Sequence, residues 1–317
     1  MNCNKSELLE KFDALAAELG SANKAALTVG VSASIISQLR KDQYKGDSDK
    51  QFEILAKYFE VKEAASAAYA EVPYAPISTS KKVYATIRSC HIKGGFSIVT
   101  GDAGIGKTKA IRKYAADNAE NTVTVTANPC QKSAKAVLKL LALKLNIPLI
   151  AATDDLWFSV VGKLHDGMVL IVDEAQLLTF QAIETLRSIA DYFDGNGQTL
   201  GVALVGNNGI RERVEGKTRE IYRQVNNRTW QRPFLQTGDV KLEDIRLLFP
   251  ALPAESAEIR FLHKIAQSAE GVRGAVRLFG NAVENERCDL AGLAAMAKSM
   301  RIDLRGIDLN SIKTALK

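Results

Sequence analysis

No apolar run in the 317 residues approaches the roughly 18 needed to cross a bilayer, and no charged-then-apolar stretch opens the chain. Neither a membrane span nor a secretory signal is expected, so the chain reads as cytoplasmic. Cysteine is sparse: Cys3, Cys90, Cys130 and Cys288 are scattered, with no C-x-x-C pair. That argues against a zinc site and fits free thiols in a reducing compartment. No repeat array is present in the sequence. The 46% hydrophobic content indicates no disorder class and is enough for one substantial core with one or two small domains. A net charge of +6 is compatible with a nucleic-acid partner without requiring one, so local patterns must decide.

The strongest local pattern is Gly101-Asp102-Ala103-Gly104-Ile105-Gly106-Lys107-Thr108, which matches the P-loop motif G-x-x-x-x-G-K-[ST] at every fixed position. The apolar run Phe96 to Thr100 before it reads as a buried strand, and Lys107 to Asn118 after it reads as a helix. Glycines allow the backbone to curl with successive N–H groups pointing inward, and the helix N-terminus adds roughly half a positive charge. Lys107 would reach the β- and γ-phosphates of ATP and Thr108 would hold Mg²⁺. A second element agrees: Met168 to Glu174 is an apolar strand ending in two carboxylates, as a Walker B strand does. Asp173 would serve Mg²⁺, and Glu174 would polarise the water that attacks the γ-phosphate.

Ahead of this core, Leu8, Leu9, Phe12, Leu15 and Leu19 recur at helical spacing, with Gly20 as a stop. Ala22 to Lys41 reads as helix, turn at Gly30, and a second helix from Ser32, a helix-turn-helix pattern with Ala26 at the crossing. Gln51 to Phe59 would close a bundle of the phage-repressor type. In such a unit Ser32, Ser34, Ser37, Gln38 and Arg40 are candidate DNA readers, with Lys41 and Lys45 nearer phosphates. The alternative is a helical bundle used for protein contacts, since serines at a helix start are equally good N-caps. Two prolines and a serine/threonine cluster between Val72 and Ser80 mark a linker, with the domain boundary near Pro73.

Strands and helices then alternate, implying a parallel sheet covered on both faces with its ligand at the strand C-termini. Val205-Gly206-Asn207-Asn208 places an amide at another strand end. Here the sequence resembles the AAA+ ATPases. The resemblance implies a sensor 1 residue at Asn207, with Asn208 as runner-up. It implies an arginine finger in Asn227-Arg228-Thr229-Trp230-Gln231-Arg232, with Arg228 ahead of Arg232, acting on a neighbour's γ-phosphate and so requiring oligomerisation. It also implies a sensor 2 arginine at Arg277 within Gly274-Ala275-Val276-Arg277, carried by a helical lid that Leu290 to Met300 and Asp308 to Leu316 would complete.

The order of helix-turn-helix, proline-bearing linker, AAA+ module and lid resembles the phage Mu transposition protein B family and its bacterial-transposon relatives. The expected fold is therefore α/β: an AAA+ P-loop core with a parallel sheet (83–238), an N-terminal all-α helix-turn-helix domain (1–62), a linker (63–82) and a C-terminal helical lid (239–317). The resemblance implies an ATP-dependent homo-oligomeric filament on double-stranded target DNA, which is delivered to a transposase. Lys132 and Lys135 fall where relatives line the filament axis, with Arg211, Arg213, Lys217 and Arg219 next in line. The charged stretch Gly209 to Glu220 would face DNA or the next subunit. Two other classes share parts of this pattern, a replication-initiator or helicase-loader ATPase and an NTP-regulated transcription factor.

Overall fold

The computed structural model describes residues 5–68, 73–215, 220, 222–305 and 307. The chain divides into two compact units, Met1–Pro73 and Tyr74–Lys317. In the first, α1 (Lys5–Glu18), α2 (Ala22–Val29), α3 (Ala33–Arg40) and α4 (Ser48–Ala68) enclose Leu8, Phe12, Ala25, Ile36, Phe52 and Leu55. Gly30, at φ +84°, turns the chain so that its own N–H and that of Val31 both reach the Ala26 carbonyl. Ser32 then starts α3 by accepting the Ile35 N–H. Helix α4 begins before Gln51 and runs beyond Phe59 to Ala68, into the stretch read as linker. The alanine-rich sequence there favours helix, and no proline intervenes before Pro73.

The second unit opens with α5 (Ser78–Lys93), which starts inside the expected linker rather than at Val83. The serine/threonine cluster begins this helix instead of ending one. The Ser78 N–H and hydroxyl both donate to the buried carboxylate of Asp244, at 2.7 and 2.9 Å, while buried Thr79 donates to the Ile105 carbonyl. A cap supplied from so far along the chain is invisible to local sequence pattern.

There follow β1 (Gly95–Gly101), α6 (Lys107–Asp117), β2 (Thr122–Thr126), α7 (Ala134–Lys144), α8 (Thr153–Val161), β3 (Met168–Asp173), α9 (Phe180–Gly195) and β4 (Leu200–Gly206). After α10 (Asn208–Glu215) and α11 (Arg223–Asn227) come β5 (Thr229–Gln231) and β6 (Phe234–Leu235). The sheet order is β2-β3-β4-β1-β5, with β6 also on β1, and every strand pairing in it is parallel. Alternate strand residues serve the two faces. Leu170, Val172, Val202 and Leu204 pack with Leu141, Leu156 and Leu186 of α7, α8 and α9, whereas Val169, Ile171, Ala203 and Val205 pack with Ile87 and Ile111 of α5 and α6. The edge strand is split by Pro233, which cannot donate to the ladder but accepts from the Thr100 N–H.

The lid comprises α12 (Leu242–Leu248), α13 (Ala257–Gln267), α14 (Gly271–Glu284) and α15 (Leu290–Ser299), around Ile259, Phe261, Leu262, Leu278 and Leu293. Ile77, just before α5, packs into the same cluster and ties the start of this unit to its end. The stretch Asp308 to Leu316, expected as a last lid helix, lies outside the described residues.

Candidate nucleotide site

The loop from β1 to α6 is shaped by positions where no side chain fits. A Cβ on Gly101 would stand 2.5 Å from the Leu235 carbonyl, and Gly106 sits at φ +94° where the loop enters α6. Lys107 Nζ donates to the carbonyls of Gly101 and Asp102 at 2.8 and 2.6 Å, so its ammonium closes the loop on itself. Thr108, one residue on, donates through Oγ1 to Asp173 Oδ2 at 2.9 Å. The other Asp173 oxygen accepts the Glu174 N–H at 2.9 Å. Burial pushes the Asp173 carboxyl above its ordinary pKa against those hydrogen bonds and Lys107. Burial likewise pushes Lys107 down, opposed by the carboxylates of Asp173, Glu174 and Asp102. Each charge is partly uncompensated, which suits a site built for an anion and a cation.

Strand β4 lies between β1 and β3, so its C-terminal end falls between the P-loop and the paired carboxylates. Asn207 stands at that end, donating its N–H to Gln176 Oε1 at 3.1 Å and accepting the Gly209 N–H on Oδ1 at 2.9 Å. Asn208, the runner-up, is turned to Glu212 within α10. Glu174 follows β3 in the left-handed region, at φ +55°, a conformation uncommon outside glycine that lifts its exposed side chain off the strand direction.

The lid meets the P-loop at the first turn of α14. The Arg273 N–H donates to the Gly104 carbonyl at 3.1 Å, and a Cβ on Gly271 would stand 2.8 Å from the Ala103 carbonyl. The Arg273 charge also acts on Lys107. Arg277, which the resemblance had put here, is one helical turn farther along α14, about 6 Å away along the axis. The structure therefore makes Arg273 the lid arginine next to the P-loop. No local pattern marks it: Gly271, at φ +64°, starts the helix, and the fold turns that first turn toward the loop. Asp102 adds a second tie, accepting the Thr237 N–H at 2.8 Å just before the lid.

The Arg228 carbonyl accepts the N–H of Phe96 near the start of β1, five residues before Gly101. At about 3.3 Å per residue it lies roughly 17 Å from its own P-loop, at the opposite end of the sheet. There it pairs with Asp191 of α9 at 2.5 Å. Arg232 donates to the Asn226 carbonyl at 2.6 Å.

Lys132 and Lys135 are exposed at the start of α7, beyond the C-terminal end of edge strand β2. Arg211 pairs with Glu215 and Arg213 donates to the Leu178 carbonyl, while Lys217 and Arg219 lie outside the described residues. In the first unit Ser34, Ser37 and Gln38 are exposed on α3. Ser32 caps that helix and Arg40 pairs with Asp13 of α1, so both already have structural partners.

Residues 91–214 match the family described as AAA domain, so the sheet-bearing core of this chain is an AAA domain with ATPase activity. Its fold is that of the Cdc6p protein of Pyrobaculum aerophilum, with a TM-score of 0.53 at 16% identity over 73% of this chain and 69% of that one. The ORC2 protein of Aeropyrum pernix gives 0.50 at 15% identity over 72% and 70%. The chain is 29% identical over 251 residues to the Mu-like prophage FluMu DNA transposition protein B of Haemophilus influenzae, covering 77% of this chain and 85% of the relative. It is 25% identical over 286 residues to the ATP-dependent target DNA activator B of Escherichia phage Mu, covering 88% and 85%. These relatives bear out the resemblance to the transposition B family that the order of motifs carries.

Proposed function

We propose that this AAA+ ATPase binds double-stranded target DNA when loaded with ATP, assembles on it as a homo-oligomeric filament, and presents it to a transposase in the cytoplasm. The relatives' names support the role in transposition. The observation that carries the assembly is the separation of Arg228 from its own P-loop along the full length of β1. An arginine so placed is out of reach of its own nucleotide, so a role in hydrolysis would have to be at a neighbour's site.

In the hydrolysis step, Lys107 would leave the Gly101 and Asp102 carbonyls for the β- and γ-phosphates. Thr108 Oγ1 and Asp173 Oδ2 stand 2.9 Å apart. Both are hard oxygen donors of the kind Mg²⁺ takes, so they would hold that ion, which would offset phosphate charge when bound. Glu174 would accept the proton of the attacking water, Asn207 would help place that water, and Arg273 would report the γ-phosphate to the lid. Exposed Lys132 and Lys135 would touch phosphates of DNA, and α3 would present Ser34, Ser37 and Gln38 to a groove.

Electron microscopy of the chain with DNA and ATP, ADP or no nucleotide tests this. Filaments on DNA are expected with ATP and not with ADP or without nucleotide. Equal DNA coverage in all three conditions would overturn the ATP-dependent assembly.

A further inference from the structure

We propose that Gln176 is a positioning residue for ATP hydrolysis, binding Glu174 and the end of β4 into one hydrogen-bonded unit. The proposal rests on the role given to Glu174. The side-chain amide of Gln176 works in both directions: Nε2 donates to Glu174 Oε2, and Oε1 accepts the Asn207 N–H at 3.1 Å. The reversed amide would set its oxygen against a carboxylate oxygen and its NH₂ against an N–H, so the surroundings fix one orientation.

Local backbone creates this meeting. Glu174 at φ +55° and the short 3-10 turn Ala175–Leu177 bring the side chains of residues 174 and 176 together beside β4. The slot that receives Gln176 is lined by glycine. A Cβ on Gly206 would stand 2.4 Å from Gln176 Oε1 and 3.3 Å from its backbone nitrogen, while the Cβ position of Gly209 is 3.6 Å from Gln176 Cβ. A glutamate of the same length could accept from Asn207 but, ionised, could not donate to Glu174.

The consequence concerns water activation. With Oε2 occupied by the amide, Glu174 is held in one rotamer with Oε1 left to take a proton. The same amide grips the backbone of Asn207, so a shift of the β4 end moves the general base with it. Asp173 and Thr108, which would hold the cation, take no part in this link, so nucleotide binding and water activation are separable through Gln176.

The test uses the full chain with saturating DNA and ATP, with Gln176→Ala and Gln176→Glu each made in the wild-type and Glu174→Gln backgrounds. Gln176→Ala should lower kcat about 10- to 100-fold, as a misplaced catalytic group does, with KM for ATP within about twofold. In the Glu174→Gln background it should lower kcat no further, because the group it positions is gone. Gln176→Glu, of equal volume, can still accept from Asn207 but sets a second carboxylate against Glu174, so it should lower kcat at least as much as Gln176→Ala, again with KM for ATP within about twofold. Wild-type kcat in Gln176→Ala would overturn the proposal. So would kcat falling in step with ATP affinity in both Gln176 variants, the mark of a merely structural residue. If Glu174→Gln itself turns over normally, the role of Glu174 fails; if it is inactive while Gln176→Ala is fully active, this proposal alone fails.

Discussion

Asp173 is 4% exposed, and its two oxygens already accept from Thr108 and the Glu174 amide. Its folded pKa is raised, so the folded state holds the proton more tightly than the unfolded chain, and its contribution to stability falls as pH rises through the carboxylate range. Lys107 is lowered and runs the opposite way: its penalty is present while it is charged and fades as pH approaches the ordinary lysine range. At neutral pH both charges weigh on the nucleotide-free protein. Asp173→Asn, which can still bond Thr108 and the Glu174 amide, should raise the melting temperature of the nucleotide-free protein at pH 7.5, and the gain should vanish in acid. Scanning calorimetry across pH checks this; a less stable variant at pH 7.5 would mean that the carboxylate is fully satisfied without a ligand. At this scale Lys107, Thr108, Asp173 and Glu174 were legible because adjacent residues make the motif. Arg273 was not, because its role depends on which turn of α14 meets the P-loop, a tertiary fact.

Helix α5 illustrates what element-level pattern misses. Its start is fixed by Asp244, which accepts from the Ser78 N–H, the Ser78 hydroxyl and the Lys241 N–H, and so caps two helix starts with one buried carboxylate. Asp244→Ala should destabilise the chain by about 2–4 kcal/mol in urea unfolding, two caps lost with donors left buried. A change under about 0.5 kcal/mol, the range of surface sites, would contradict the capping role. The strands β1, β3 and β4 were readable because buried parallel strands are near-continuous apolar runs, and β2 because threonine and valine alternate along it. Strands β5 and β6 were not: each is very short, and Pro233 between them argues locally against a strand, yet an edge tolerates it. Helix α7 carries a further expectation. If Lys132 and Lys135 meet DNA phosphates, replacing both by Ala should weaken binding to all sequences alike and flatten the plot of log K against log salt by about two units. An unchanged slope in a titration from low to moderate salt would move the contact elsewhere.

Across the whole second unit, the parallel sheet sets two functions at opposite ends. P-loop, Asp173, Glu174 and Asn207 gather at the C-terminal ends of β1, β3 and β4, and Arg228 stands beside the N-terminal end of β1, paired with Asp191. In the proposed assembly, one subunit would hold a nucleotide site at one end and offer Arg228 to a neighbour's site at the other. If ATP favours the assembled state, assembly must reciprocally tighten ATP binding, and hydrolysis would loosen the filament. The most direct test mixes two variants that are each expected to be inactive, Arg228→Ala and Lys107→Ala, on DNA with ATP. In a mixed assembly some interfaces pair an intact P-loop with an intact Arg228, so DNA-stimulated ATPase should partly return as the two are combined. A mixture as inactive as its parents, with co-assembly on DNA confirmed, would contradict an active site shared between subunits.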